Sequence, residues 1–185
     1  MSSGTGPGAR TERPAVRVLV SACLLGERVR YDGSDAACAS PTLQRWLSEG
    51  RVVPFCPEVA GGFPVPRPAA EIIPGDGHQV LQGSAIVSDH AGTDVTSYFL
   101  AGARLTLETA VREGVRLAIL KDGSPSCGST YVYDGTFRRM RSPGQGVTTA
   151  LLQRGGIRVF NEQQFEEAEA YLADLEKEGG TPEAS

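Results

Sequence analysis

The sequence lacks any run of about 20 apolar residues, which excludes a segment that crosses a membrane as a helix. The stretch 1–14 also lacks the apolar core of a secretory signal peptide, and its Gly, Ser and Pro content predicts a disordered leader. Neither sign of charge is in large excess, since the net charge is -4, and this argues against a large nucleic-acid partner. We therefore expect a cytoplasmic protein, monomeric or homodimeric, that acts on a small molecule and contacts no membrane.

Cysteines are few, and the four in the chain are Cys23, Cys38, Cys56 and Cys127. None of them belongs to a C-x-x-C pair of the kind that most structural zinc sites carry. In a reducing cytosol, cysteines serve metals or catalysis more often than disulfides. Four unrelated buried thiols remain the simplest alternative, because free cysteine is among the most buried residue types.

Apolar patterning predicts alternating strands and helices. The runs Val16–Val20 and Val115–Leu120 are typical of buried strands, and apolar residues recur with helical period from Asp94 to Gly114. The other predicted elements are a helix at Ser40–Gly50, a strand in "RVVPF", a helix in "GVTTALLQRGG", a strand in "IRVF" and a helix from Asn161. This order favours an α/β fold, a single three-layer Rossmann-like domain with a mostly parallel sheet. The domain is expected at 15–178, before a flexible tail at 179–185.

The stretch Pro57–His78 is rich in proline and glycine, and we predict no regular element within it. Loops of this length in compact domains are usually functional or disordered. The next segment, "QVLQGSAIVS", is predicted to form a hairpin or an edge strand. Arg67 and Glu71 are interpreted as an ion pair that pins the loop, with a recognition element as the alternative.

Three of the cysteines follow predicted strands. Cys23 comes shortly after the first strand, Cys56 directly follows "RVVPF", and Cys127 lies in the loop after "VRLAIL". Ligands of open α/β sheets bind beyond the carboxyl ends of the strands, so we expect these three thiols to face one rim. Cys38 stands before a helix with no strand leading to it, and we interpret it as structural.

Three convergent thiols suit few roles. A closed zinc site takes four ligands, and neither His78 nor His90 has a spacing that completes one. A disulfide would leave one thiol over, and an iron–sulfur cluster normally takes four thiolates. A cluster with three cysteine ligands would leave one iron open, where a substrate atom can bind and be polarised.

Two polar residues close to these cysteines are candidates for chemistry. Glu58 lies two residues after Cys56, and in an extended chain the two side chains would face the same way. A carboxyl group beside a metal centre can serve as general acid or base, although a solvated loop carboxylate is the alternative. Ser124, three residues before Cys127, is a candidate for positioning a substrate or water, or else an ordinary turn residue.

Several long motifs occur in order along the chain: "VSACLLG", "VRYDG", "CPEVAGG", "PRPAAE", "DVTSYFLAGA", "AILKDGSPSCGSTYVYDGTF" and "GQGVTTALL". Together they resemble the DUF523 family, whose characterised members are 2-thiouracil desulfidases. The resemblance covers about Val16 to Phe160, nearly all of the predicted domain.

The resemblance implies a [4Fe-4S] cluster held by Cys23, Cys56 and Cys127, with one iron open to the sulfur of a thiolated base or nucleoside. It also implies that Glu58 is the acid/base, that Ser124 assists, and that a 2-thiouracil-like substrate becomes uracil with release of sulfide. Many members have a further cysteine where this chain has Val29, and its absence fits a three-cysteine cluster. A sulfur or cluster carrier without catalysis, and a zinc-thiolate protein, are the alternatives. Glycine after Cys127 is expected to let the backbone approach the cluster.

Overall fold

The computed structural model describes residues 15–178, so the leader predicted at 1–14 and the tail predicted at 179–185 lie outside the described residues. The strands are β1 (Arg17–Ser21), β2 (Val52–Phe55), β3 (Ala70–Ile73), β4 (Ile86–Asp89), β5 (Val115–Leu120), β6 (Tyr131–Tyr133), β7 (Arg141–Pro143) and β8 (Arg158–Asn161). The helices are α1 (Pro41–Ser48), α2 (Pro57–Ala60), α3 (Gly77–Gln82), α4 (Thr96–Arg112), α5 (Val147–Arg154) and α6 (Phe165–Glu178), with a short 3-10 helix at Ala22–Leu25.

Four strands form the central sheet in the order β2-β1-β5-β8, and every neighbouring pair is parallel. Successive side chains of a strand point to opposite faces, and both faces of this sheet are covered. Val18 and Val20 of β1 pack towards α1 and α6, whereas Leu19 packs towards α4 and α5. The predicted three-layer α/β fold with a parallel sheet is therefore confirmed.

A second apolar cluster lies beside the main sheet. The strands β3 and β4 form an antiparallel pair, and their inward residues Ile72 and Val87 are fully buried. They pack with Phe99 of α4 and Val147 of α5. This attachment joins the segment after Cys56 to the helices that cover the sheet.

The prediction that Pro57–His78 contains no regular element is wrong. Several of its prolines and glycines lie at the ends of helices and strands, where they are compatible with regular structure. Pro57 occupies the first position of α2, where a missing backbone N–H costs nothing. Asp76 and Gln79 form a capping box that starts α3.

The segment "QVLQGSAIVS" was predicted as a hairpin or edge strand, and its first half is instead helical. Gly83, with φ of +78°, ends α3, and only the second half forms β4. The helix predicted from Asp94 to Gly114 is present as α4, which begins where Asp94 accepts a hydrogen bond from the Thr96 amide. None of the helices within 15–178 is long and apolar enough to cross a membrane.

Candidate active site

A cavity of about 550 Å³ opens beyond the carboxyl ends of β1, β2 and β5. Its volume falls in the range of small-molecule sites. All five sequence-predicted site residues line it: Cys23, Cys56, Cys127, Glu58 and Ser124. Cys38 does not line the cavity and is partly buried against the apolar cluster that includes residues of β1, α1 and α6.

Each of the three cavity cysteines comes from the end of a parallel strand. Cys23 lies in the 3-10 helix that follows β1, and Cys56 stands between β2 and α2. Cys127 lies in the loop after β5 and is 6% exposed, close to the 8% of Cys23. All of these thiols are free. The parallel topology thus brings together residues that are far apart in sequence.

The three thiols influence one another electrostatically. Burial raises the pKa of Cys23 from 9.0 to about 11, and the nearby Cys56 adds to the effect. Burial likewise raises the pKa of Cys56. The pKa of Cys127 is raised well above its ordinary range by burial, with further contributions from Cys56, Glu58 and Cys23. Without a metal, such thiols stay protonated at neutral pH.

Within residues 15–178, no group of three or more His, Cys, Asp or Glu side chains is arranged to hold a single metal ion. The three cavity cysteines are therefore not gathered around a single ion, although all of them line the same cavity. In an iron–sulfur cluster, each thiolate binds a different iron, so its ligands need not meet at one point.

The Ser-Pro-Ser-Cys turn is held by the Ser124 side chain. Its Oγ accepts hydrogen bonds from the amides of Ser126 at 3.0 Å and Cys127 at 3.2 Å. The same hydroxyl donates to Glu58 Oε1 at 3.1 Å. One serine therefore connects the Cys127 loop with the candidate acid/base.

Gly128 is closely surrounded by the backbone of its own loop. A Cβ at this position would lie 2.5 Å from the Tyr131 carbonyl oxygen and 2.9 Å from that of Ser124. Its amide also donates to the Ser124 carbonyl at 2.9 Å. The packing of the loop therefore requires glycine here by itself, and the predicted approach of this backbone to a cluster stays a prediction.

Glu58 is positioned by a short helix and not by extended chain, so the alternation argument that linked it to Cys56 is wrong. It lies in the first turn of α2, which packs against α4 at two glycines. A Cβ on Gly102 would lie 2.1 Å from the Pro57 carbonyl oxygen, and one on Gly61 would lie 2.2 Å from that of Tyr98. This backbone contact fixes where α2 holds Glu58.

The predicted ion pair between Arg67 and Glu71 is absent from the described residues. Arg67 Nε instead donates to Glu58 Oε2 at 2.8 Å, and Glu71 accepts from the Phe137 amide at 3.1 Å. Sequence proximity was therefore a poor guide to the partner of Arg67.

Two further residues of the site were not identified from the sequence. The Ser21 hydroxyl, at the end of β1, approaches Cys127 Sγ at 3.8 Å and accepts from the Lys121 amide at 3.0 Å. Asp122 accepts from the amides of Gly123, Ser129 and Thr130. Burial raises the pKa of Asp122, but hydrogen bonds from Thr130 and Ser129 outweigh it and keep the pKa below its ordinary value. Its position in "KDGSP", directly after a strand, was the only signal in the sequence.

Comparison with known proteins gives a consistent result. The solved structure of a [4Fe-4S]-dependent thiouracil desulfidase, TudS, is similar with a TM-score of 0.78 and 46% sequence identity, over 85% of this chain and 98% of that one. The uncharacterized protein YbbK of Bacillus subtilis (strain 168) is 45% identical over 148 residues, which are 80% of this chain and 97% of YbbK. The model of the 2-thiouracil desulfurase family matches residues 18–164. The chain therefore belongs to the 2-thiouracil desulfurase family.

Proposed function

We propose that this chain is a [4Fe-4S]-dependent desulfidase that converts a small thiolated nucleobase, such as 2-thiouracil, into the oxo base and sulfide. The observation that carries the proposal is that three thiols, each following a parallel strand, line the same cavity as one carboxylate. Family membership and the similarity to TudS support it.

The donor set fits the cluster. Cys23, Cys56 and Cys127 are free thiols, and the cavity that they line is large enough for a cluster together with a pyrimidine. When bound by these three thiolates, the cluster supplies an iron without a protein ligand, a Lewis acid for the sulfur of the substrate. Burial raises the pKa of Cys23 to about 11, and the charges of Arg30 and Lys121 offset part of that rise, which helps the thiolate that a metal needs.

The reaction is a hydrolysis that needs no external electrons. The oxygen of water forms the new bond to the ring carbon, the carbon–sulfur bond breaks, and the two protons of water leave with the sulfur as hydrogen sulfide. Glu58 removes a proton from the attacking water and returns it to the departing sulfur, as a general base and then a general acid.

Ser124 orients the acid/base. Because its Oγ accepts two amide N–H groups, its own hydrogen is directed to Glu58 Oε1. The hydroxyl is therefore committed to Glu58 and to the turn, and we assign it a supporting role instead of a nucleophilic one.

The cavity walls favour a flat, partly apolar substrate. Phe63, Tyr131, Tyr133 and Phe137 line the cavity, and aromatic faces stack well on bases. A free thiolated base or a nucleoside fits these walls.

The direct test is turnover of 2-thiouracil in water enriched in ¹⁸O by cluster-loaded protein without oxygen. We expect equal amounts of uracil and sulfide, with the label in the new carbonyl. Sulfur taken up without uracil would favour a carrier. Colourless protein with stoichiometric zinc and no turnover would favour the zinc-thiolate alternative.

A further inference from the structure

We propose that Arg67 is a positioning residue for the desulfidase reaction, which holds the carboxylate of Glu58 in one orientation towards the cavity. This inference depends on the proposed function, because it takes Glu58 to be the acid/base.

The guanidinium group of Arg67 is tied to three separate segments. Its Nε donates to Glu58 Oε2 at 2.8 Å, its Nη2 to the Val29 carbonyl at 2.9 Å and its Nη1 to the Pro64 carbonyl at 3.2 Å. Its backbone amide also donates to the Tyr31 carbonyl at 2.8 Å. Since the side chain is only 4% exposed, these bonds replace contacts with water.

Arginine suits this place better than lysine. The planar guanidinium has several N–H donors in a fixed fork, so two carbonyls can anchor it while a third donor addresses the carboxylate. Lysine carries a compact charge on a flexible chain, and it cannot make these three hydrogen bonds in their three directions at the same time. The Phe63 ring, whose centroid lies 5.8 Å from Arg67 Cζ, covers the group further.

Both carboxylate oxygens of Glu58 consequently accept a hydrogen bond from the protein. Arg67 binds Oε2 and the Ser124 hydroxyl binds Oε1, which fixes the plane of the group. A carboxylate has about four acceptor positions, so two remain for a water or substrate proton. A displacement of about 1 Å in a catalytic group can lower the rate about 100-fold.

Two other basic residues that line the cavity, Arg30 and Lys121, have partners of their own. Arg30 bonds the Ser34 hydroxyl and the Asp35 carbonyl, and Lys121 pairs with Glu162. Across the part of the chain that the structure describes, Arg67 is thus the only cationic partner of Glu58.

The test compares Arg67→Ala and Arg67→Lys with Arg51→Ala. Arg51 is a matched control, because its side chain is 11% exposed and bonds a carbonyl and two carboxylates away from the cavity. We expect Arg67→Ala to lower kcat per cluster about 10- to 100-fold with little change in KM, and Arg67→Lys to recover only part of it. Added guanidinium ion should restore activity to Arg67→Ala alone. Arg51→Ala should keep the wild-type kcat while its Tm falls.

A double-mutant cycle with Glu58→Gln separates this role from simple structural support. If Arg67 acts through Glu58, the double variant is no slower than Glu58→Gln, whereas independent effects multiply. In the same cycle, we also measure the Tm of the cluster-free proteins. The Tm of the double variant should fall by less than the sum of the losses in the two single variants. The proposal would be overturned if the losses in kcat of the two single variants multiplied in the double variant. It would also be overturned if folded Arg67→Lys kept the wild-type kcat and the Tm losses of the two single variants simply added. Inactive wild-type protein that carries its cluster would instead overturn the proposed function.

Discussion

The hydroxyl of Ser124 donates to Glu58 Oε1 at 3.1 Å while its oxygen accepts the amide of Cys127. The carboxylate and the loop that carries a cysteine are therefore held by one side chain. In the proposed mechanism, this serine sets the position of the acid/base relative to the Cys127 loop.

Replacement of Glu58 by Gln keeps the shape of the side chain and removes its basicity. We expect kcat for 2-thiouracil to fall about 100- to 10,000-fold, since proton transfer commonly contributes that much. The measurement is steady-state sulfide release, normalised to iron content. Glu113→Gln is the matched control, because Glu113 also pairs with an arginine, Arg17, at the far end of the sheet. Equal activity of Glu58→Gln and wild type would remove Glu58 from the mechanism.

Replacement of Ser21 by Ala deletes the hydroxyl that approaches Cys127 Sγ. Groups that hydrogen-bond a metal ligand typically change metal affinity about 10- to 100-fold. We therefore expect the variant to lose iron to a chelator about tenfold faster, followed by the decay of visible absorbance. Ser88→Ala, which removes a buried hydroxyl bonded to the Asp89 carbonyl, should behave as wild type. Identical decay in all three proteins would contradict a role for Ser21.

Gly102→Ala places a methyl group where the Pro57 carbonyl oxygen now lies. We expect the free energy of unfolding to fall by about 1–3 kcal/mol as α2 is pushed away from α4. Because α2 carries Glu58, kcat should fall as well, even under conditions where the protein is fully folded. Urea denaturation and turnover on the same samples would check this. A variant with normal stability would mean that α2 shifts without strain.

The stability of the cluster-free protein should depend on alkaline pH through Cys23. Burial raises the pKa of this thiol from 9.0 to about 11, so the folded chain keeps a proton that the unfolded chain loses. The contribution is fully present below pH 9.0 and is lost as pH rises to about 11. It corresponds to about 2–3 kcal/mol. Urea denaturation of wild type and Cys23→Ala across this range should give a smaller decline for the variant, and parallel curves would contradict the shift.

The sequence predicted those features that rest on local pattern and on topology. Apolar periodicity identified β1, β5 and α4, and strand alternation then implied that Cys23, Cys56 and Cys127 share one rim. Prediction from the sequence failed where the partner of a side chain depends on tertiary packing. Arg67 was assigned to Glu71, its neighbour in sequence, although the fold brings it to Glu58. The four-residue helix α2 is too short to leave a periodic signal, and its position depends on the glycine contact with α4.

Iron and acid-labile sulfide content, with the visible spectrum, of protein purified without oxygen tests the proposed cluster most directly. Wild type and Cys38→Ala should be brown, with about four iron and four sulfide per chain. Cys23→Ala, Cys56→Ala and Cys127→Ala should each lose the colour and the activity. Loss of the cluster in Cys38→Ala, or full iron and turnover in Cys127→Ala, would contradict the three-cysteine site.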